Sequence, residues 1–358
     1  MSSTHGPETK RKERTHAGAS DELKATVVLA CDDRFVPFVS VAARRIARLV
    51  GDEATIIVVS AGVSDENKAL AIRFCPAISF VEASSLVQQM APAGSILNGP
   101  HYLRLFLDEL FPDVDRVVYL DGDVSLLADI SPLLSLVPRA SPIVAAHDPY
   151  TLLQADPRSR LSMSADAAYF NSGVMVLDLK VIRQEGIFAV ARAFADRNPE
   201  SCWMADQDAL NAALDGRWQT LDWRWNSMSY LGDRVPQAPF IRHFAGNKPW
   251  GKSKTGVEAR FVHEWQSDLA ESPWKGCFHR QTRWQAASAT LRPHVRRLET
   301  GVKRLLFGRA SGKRGHEARL AIQFPHGLEA IERAAVRGEL ACRSPETVLF
   351  GLPPQISG

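Results

Sequence analysis

The chain opens on a polar, charged stretch and then settles into short apolar runs separated by amphipathic segments. Residues 25–31 (ATVVLAC) form a continuous apolar run, the pattern of a strand buried on both faces. Asp32-Asp33-Arg34-Phe35 makes a loop, and Pro37 suits the first turn of a helix whose inward stripe is Val41, Ala42, Ile46 and Leu49. Residues 54–60 repeat the strand pattern, Ser64-Asp-Glu-Asn opens a second helix that stops near Cys75-Pro76, and residues 78–81 form a third strand. A helix through Tyr102, Leu105, Phe106 and Leu110 leads into a fourth strand at 116–120. Further strands fit 142–146, 173–178 and 218–221, with helices near 179–196 and 206–214. Strands this uniformly apolar, alternating with helices, predict an α/β fold with a mostly parallel, Rossmann-like sheet flanked by helices.

Composition narrows the class. At 358 residues, 45% hydrophobic and 23% charged, the chain has the make-up of a folded globular protein. No run of about 18 apolar residues occurs, so no bilayer-spanning helix is expected. Residues 1–24 lack both periodicity and an apolar core, which predicts a flexible tail and no signal peptide. Cys31, Cys75, Cys202, Cys277 and Cys342 are scattered and form no C-x-x-C pair, which points to a reducing, cytoplasmic setting. Arg, Gln and Ala replace the strand pattern after Gly276, dividing the chain into a body at 25–276 and a basic, mainly helical extension at 277–358. Between His279 and Gly315 stand ten Lys/Arg and one acid, against 33 basic and 39 acidic residues elsewhere. Within it, Leu291, Val295, Leu298, Val302 and Leu305 share one helical face, flanked by Arg292, Arg296, Arg297, Lys303 and Arg304. Residues 291–307 therefore predict a basic amphipathic helix suited to peripheral attachment on an anionic membrane, at its inner face. The same stripe also suits packing against the body or a second subunit. No nucleic-acid motif accompanies the charge, so no nucleic-acid partner is expected.

The strongest local chemistry is Arg116-Val-Val-Tyr-Leu-Asp121-Gly122-Asp123-Val124, which delivers two carboxylates at the carboxyl end of a buried strand. Ligands of open α/β sheets bind outside such strand ends, and paired hard oxygens suit Mg²⁺ or Mn²⁺. A bare D-x-D also fits an ordinary turn. His243-Phe-Ala-Gly246-Asn-Lys248-Pro-Trp250 adds an imidazole for a mixed metal site, a glycine permitting close approach and a cation for phosphate. Tyr169-Phe-Asn171-Ser172-Gly173 is a polar step into an apolar strand, where Asn171 can bind a hydroxylated ligand. Asp206-Gln207-Asp208 precedes an apolar helix, with Asp206 as a natural N-cap.

In order, the Asp32-Asp33 strand end, the Tyr102-Leu-Arg104-Leu segment, Asp121-x-Asp123, Phe170-Asn171-Ser172-Gly173-Val, Asp206-Gln207-Asp208 and His243-x-x-Gly246-x-Lys248-Pro-Trp resemble the retaining glycosyltransferases of family 8. That group includes bacterial lipopolysaccharide galactosyl- and glucosyltransferases and glycogenin-like enzymes. The resemblance runs from about Thr26 to Trp274 and includes Trp225-Asn226. It implies a GT-A fold, transfer of galactose or glucose from UDP-galactose or UDP-glucose, and a Mn²⁺ (or Mg²⁺) cofactor. The acceptor it implies is a saccharide or glycolipid of lipopolysaccharide or another cell-surface glycan. By motif, Asp121, Asp123 and His243 are the implied metal ligands, and Ala30 and Asp32 the uridine positions. Arg104, Asp148, Asn171, Ser172, Asp206 and Gln207 surround the hexose, Gly122 joins the two acids, and Gly246 and Lys248 contact the diphosphate. Gln207 and Asp206 are the implied catalytic residues. Two departures stand out. A single residue separates Gly246 from Lys248 where the family more often has two, and Arg34 stands where relatives often carry Asn. Two other classes compete. A UDP-sugar-binding protein without turnover would share the donor site, and a HAD-type phosphohydrolase also places D-x-D after a strand. The latter normally has Thr or Val where this chain has Ser125, and its motif lies near the start of its domain.

Overall fold

A computed structural model describes residues 24–91, 95–139, 141–148, 157–228, 239–254 and 256–279. The tail over residues 1–23 and the helix expected over 291–307, with the rest of the chain from 280 on, lie outside the described residues. The first half alternates as its apolar pattern requires: β1 (Ala25–Asp32), α1 (Val36–Val50), β2 (Ala54–Ala61), α2 (Asp65–Phe74), β3 (Ile78–Glu82) and α3 (Ser84–Met90). A 3₁₀ helix (Pro100–Phe106) and the short α4 (Leu107–Leu110) then lead to β4 (Arg116–Leu120), β5 (Val124–Leu126) and α5 (Ser131–Ser135). Next come β6 (Ile143–His147), α6 (Pro157–Arg160), β7 (Phe170–Asp178), α7 (Leu179–Glu185), α8 (Ile187–Arg197) and α9 (Asp206–Leu214). Short strands β8 (Gln219–Thr220), β9 (Ser227–Met228) and β10 (Ile241–His243) precede α10 (Ala259–Glu271). No helix among the described residues is long and apolar enough to cross a membrane.

Seven strands form one sheet in the order β3-β2-β1-β4-β7-β6-β8. It is mostly parallel, with β7 running antiparallel to both β4 and β6. Alternate side chains feed two cores, as a strand's two-residue period demands. Val27, Leu29, Val118, Leu120, Val174 and Val176 pack with α1 through Val39, Ala42 and Ile46. Val28, Val117, Tyr119, Met175 and Leu177 face the opposite core, with Phe188 and Ala191 of α8 and Leu210 of α9. Each such burial contributes about 1.5–3 kcal/mol, so the sheet is held from both sides. A second sheet, β5-β10-β9, was not anticipated, because its strands are only two or three residues long. Nor was α10, whose Trp265 Nε1 donates to Ser125 Oγ (3.0 Å) while Arg45 pairs with Asp268 (2.6 Å), fastening it to β5 and α1.

Two helical expectations need correction. Residues 100–106 wind as a 3₁₀ helix because five consecutive side chains, Tyr102 to Phe106, are buried, leaving no wet face for a 3.6-residue period. The expected helix over 179–196 is two, broken at Gly186, whose backbone is left-handed (φ 64°) and whose N–H closes α7 onto Ile182 and Arg183. A Cβ at Gly186 would meet nothing within 4 Å, so replacement there strains only the backbone. Gly186→Ala should therefore lower stability by about 1 kcal/mol in urea denaturation while leaving ligand binding alone. A null effect would mean that this turn need not be left-handed.

Candidate active site

The D-x-D turn lies where β4 ends beside the parallel end of β1 and the antiparallel start of β7. Asp121 N–H donates to Gly173 O (2.8 Å), holding the turn against β7. Gly122 is enclosed: a Cβ there would lie 2.4 Å from Val39 Cγ2 and 2.9 Å from Phe35 Cε1. Only glycine lets α1 approach this closely and leaves both acids on the open side. The chain then continues as β5, which pairs antiparallel with β10 so that His243 stands opposite Val124. Phe244 N–H donates to Asp123 O (2.9 Å), which extends that pairing up to the turn. In this way residues 120 positions apart in the chain share one corner.

Asp121, Asp123 and His243 each present a ligand atom, all within 4.8 Å of one another. His243 Nε2 lies 3.3 Å from Asp123 Oδ1 and 3.7 Å from Asp121 Oδ2. Two hard oxygens and one imidazole suit a divalent cation such as Mn²⁺ or Mg²⁺. Gly173 supplies the room: a Cβ there would lie 2.3 Å from His243 Cε1 and 3.0 Å from Asp121 Oδ2. The donor set therefore fits such an ion. Burial pushes the Asp123 carboxyl up, but Lys248 and His243 outweigh it and hold the group well below the usual carboxylate range. Lys248 Nζ bonds Asp123 Oδ2 and the Phe244 carbonyl, so the shortened loop after exposed Gly246 turns this cation onto the acidic pair.

Arg104 organises the other flank. Its Nη2 pairs with Asp121 Oδ1 (2.9 Å), its Nε with Asp206 Oδ2 (2.9 Å), and its Nη1 donates to Ser172 O (2.7 Å). The guanidinium also stacks over Tyr119, whose hydroxyl donates to Asp121 Oδ1 (3.0 Å). Asp206 is not the N-cap of α9. That position belongs to Ala205 (φ 52°), while the Asp206 carboxylate is drawn instead to buried Arg104 and to the Ser172 hydroxyl (3.1 Å). Burial pushes the Asp206 carboxyl up to about 6, Arg104 opposing and Asp121 adding to the rise. Ala205 occupies a conformation that L-residues rarely adopt, a strain stored directly before Asp206 and Gln207.

Gln207, Asn171 and Asp148 interlock. Gln207 Oε1 accepts from Asn171 Nδ2 (2.8 Å) and Ser172 N–H (3.2 Å), and its Nε2 donates to Asp148 Oδ2 (2.8 Å) and Tyr169 Oη (3.1 Å). Ala30 and Asp32 sit at the carboxyl end of β1, where Asp32 Oδ1 accepts the Phe35 N–H (3.0 Å) that starts α1. Sequence reasoning passed over three supports. Asp208, fully buried, accepts from Tyr169 Oη (2.8 Å), Arg160 and Met204 N–H, and so anchors the head of α9. Asn226 bonds His243 Nδ1 (2.9 Å), and Gly173 makes the space for that ring. The signal for Asp208 lay in the D-Q-D motif, but nothing local marked Asn226 or Gly173 as neighbours of His243.

The pattern of the family described as "Glycosyl transferase family 8" matches residues 26–254. "General stress protein A" of Bacillus subtilis is 28% identical over 225 residues, covering 56% of this chain and 78% of that protein. "Lipopolysaccharide 1,2-glucosyltransferase" of Escherichia coli is 29% identical over 202 residues, covering 52% of this chain but only 59% of that protein. Among solved structures, galactosyltransferase LgtC in complex with donor and acceptor sugar analogs superposes with a TM-score of 0.61 at 24% identity, covering 70% of this chain and 99% of that one. The last likeness speaks to the fold, which is of the GT-A type.

The crowding at Gly173 makes a specific demand. Gly173→Ala should displace the His243 ring and weaken Mn²⁺ binding at least about tenfold by titration calorimetry, with the far-ultraviolet circular dichroism unchanged. Unaltered affinity would show that the ring does not need this position.

Proposed function

Because the chain belongs to glycosyl transferase family 8, we propose that it is a metal-dependent retaining hexosyltransferase that moves galactose or glucose from a UDP-sugar to a saccharide acceptor. The observation that carries this reading is the convergence of Asp121, Asp123 and His243 beside the Arg104, Asp206 and Gln207 cluster. A phosphohydrolase does not need that second cluster, whereas a UDP-sugar-binding protein would share it and is separated from a transferase by turnover.

Cleaving a sugar–phosphate bond leaves negative charge on the diphosphate and positive character at the anomeric carbon. When bound, a divalent cation such as Mn²⁺ supplies positive charge to the diphosphate. Asp121, Asp123 and His243 would hold it, and Lys248, now on Asp123, is near enough to add a second positive charge. Ala30 and Asp32 at the end of β1 would receive the uridine, with Gly246 close to the phosphates. Arg104, Asp148, Asn171 and Ser172 would orient the hexose hydroxyls. Gln207 would lie beneath the sugar. Its Oε1 already accepts two hydrogen bonds, which leaves little electron density for nucleophilic attack and favours front-face displacement. In that route a diphosphate oxygen takes the acceptor's proton, while the Gln207 dipole and the Asp206 carboxylate favour the developing cation.

The likeness to a lipopolysaccharide glucosyltransferase supports an acceptor in lipopolysaccharide or another cell-surface glycan. The 291–307 segment would hold the enzyme on the inner, anionic face of the membrane that carries such a glycolipid.

UDP-sugar hydrolysis, measured across donors with Mn²⁺ or with EDTA, tests the core of this reading. A preference for UDP-galactose or UDP-glucose that EDTA abolishes is expected, and Asp121→Asn, Asp123→Asn and His243→Ala should each lower turnover at least about 100-fold, on the order of 3 kcal/mol. Metal-independent turnover, or near wild-type activity in Asp123→Asn, would overturn it. For the tail, the intact chain should co-sediment with anionic liposomes, less so as salt rises, and a chain ending at Gly276 should not. Equal partitioning of the two would assign the apolar stripe to packing within the protein.

A further inference from the structure

A histidine ligates a cation only through the ring nitrogen that carries no proton, so something must decide which of the two that is. His243 Nδ1 lies 2.9 Å from Asn226 Oδ1, while Nε2 faces the Asp121 and Asp123 carboxylates. The direction of the Asn226 amide follows from donors that cannot be reversed. Gly173 N–H donates to one side-chain atom of Asn171 at 3.0 Å, so that atom is the amide oxygen. The Asn226 atom 2.9 Å from the same oxygen must then be its NH₂ group. The other end of the Asn226 amide, turned to His243, is therefore an oxygen and can only accept. A second backbone donor agrees: Ser172 N–H fixes Gln207 Oε1, which in turn takes the NH₂ of Asn171 at 2.8 Å. Asn171, Gln207, Asn226 and His243 are all buried, so water does not compete for these bonds.

We propose that Asn226 is a positioning residue that keeps a proton on His243 Nδ1 and so reserves Nε2, the nitrogen that faces the two carboxylates, as the one a cation can take. The order is carried from the backbone of β7 through Asn171 to Asn226, and from there to the imidazole. β9 keeps Asn226 in place, since it follows Asn226 directly and pairs with β10, setting Met228 opposite His243. This deepens the metal-dependent reading and rests on it for its purpose, though the proton's position stands on hydrogen bonds alone.

The test uses the full chain labelled with [¹⁵N]histidine, free of metal and nucleotide, with the His243 signals identified by their loss in His243→Gln. A slowly exchanging proton on Nδ1 is expected in the wild type, and that spectrum decides the matter whether or not any Asn226 variant folds. Asn226→Ala should lose the protected proton and bind Mn²⁺ about 10–100-fold more weakly by calorimetry. Asn226→Asp keeps an acceptor for Nδ1–H but gives up the NH₂ bond to Asn171 Oδ1, so it should recover the proton and part of the affinity, whereas a space-filling role would make both variants lose alike. A wild-type Nδ1 without a proton, or wild-type Mn²⁺ affinity in Asn226→Ala, would overturn the proposal. A chain that keeps the Nδ1 proton yet cleaves no UDP-sugar would sink the transferase reading and leave the role of Asn226 standing.

Discussion

Two carboxylates cannot be held side by side at the end of a buried strand unless cations stand against them. Asp121 and Asp123 meet that condition with Arg104 on one side and Lys248 on the other, and His243 between. Much of the surrounding structure follows. Arg104 must be buried to reach Asp121, so residues 102–106 are buried together and the 100–106 segment winds tightly as a 3₁₀ helix. The same guanidinium draws in Asp206, which fixes the head of α9 against β7. Removing one member of such a buried ion pair leaves an uncompensated charge and typically costs about 3–5 kcal/mol, so the set stands or falls together.

The amide groups provide a different kind of order. Charges pull toward one another from many directions, whereas Asn171, Gln207 and Asn226 each have one oxygen and one NH₂ end that must be matched. Backbone N–H groups of Ser172 and Gly173 set those ends, so the sheet dictates the polarity of the pocket. The strained Ala205 and the fully buried Asp208 serve the same purpose on α9, bringing Gln207 to its partners at some cost in backbone energy. Rigid, pre-oriented dipoles of this kind stabilise charge without having to reorganise when it develops.

The small β5-β10-β9 sheet shows how little regular structure a site can need. Three short strands bring together the turn at 121–123, His243 and Asn226. Glycine at 122 and 173 lets the layers close to distances that any side chain would prevent. α10 then clamps this sheet to α1 through Ser125, Arg45 and Trp265.

The apolar runs at 25–31, 54–60 and 116–120 were enough to determine these strands, that they run parallel and the α/β class, because strands buried on both faces leave a mark that needs no partner to be read. The D-x-D after the fourth strand, with the motifs that follow it, likewise carried the resemblance to family 8, to which the chain belongs. What the chain could not show by itself was distance. That Asn226 orients His243, that Gly173 makes room for it, that Lys248 rests on Asp123 and that Asp206 serves Arg104 rather than its own helix are all decided across gaps of 17 to 125 residues. Such contacts depend on where a folded sheet brings the ends of its strands, and neither hydrophobic period nor capping preference carries that information. The 3₁₀ path of 100–106 escaped because tertiary packing overrode a local helical pattern, whereas the break at Gly186 is a local glycine cap set inside an otherwise continuous helical pattern.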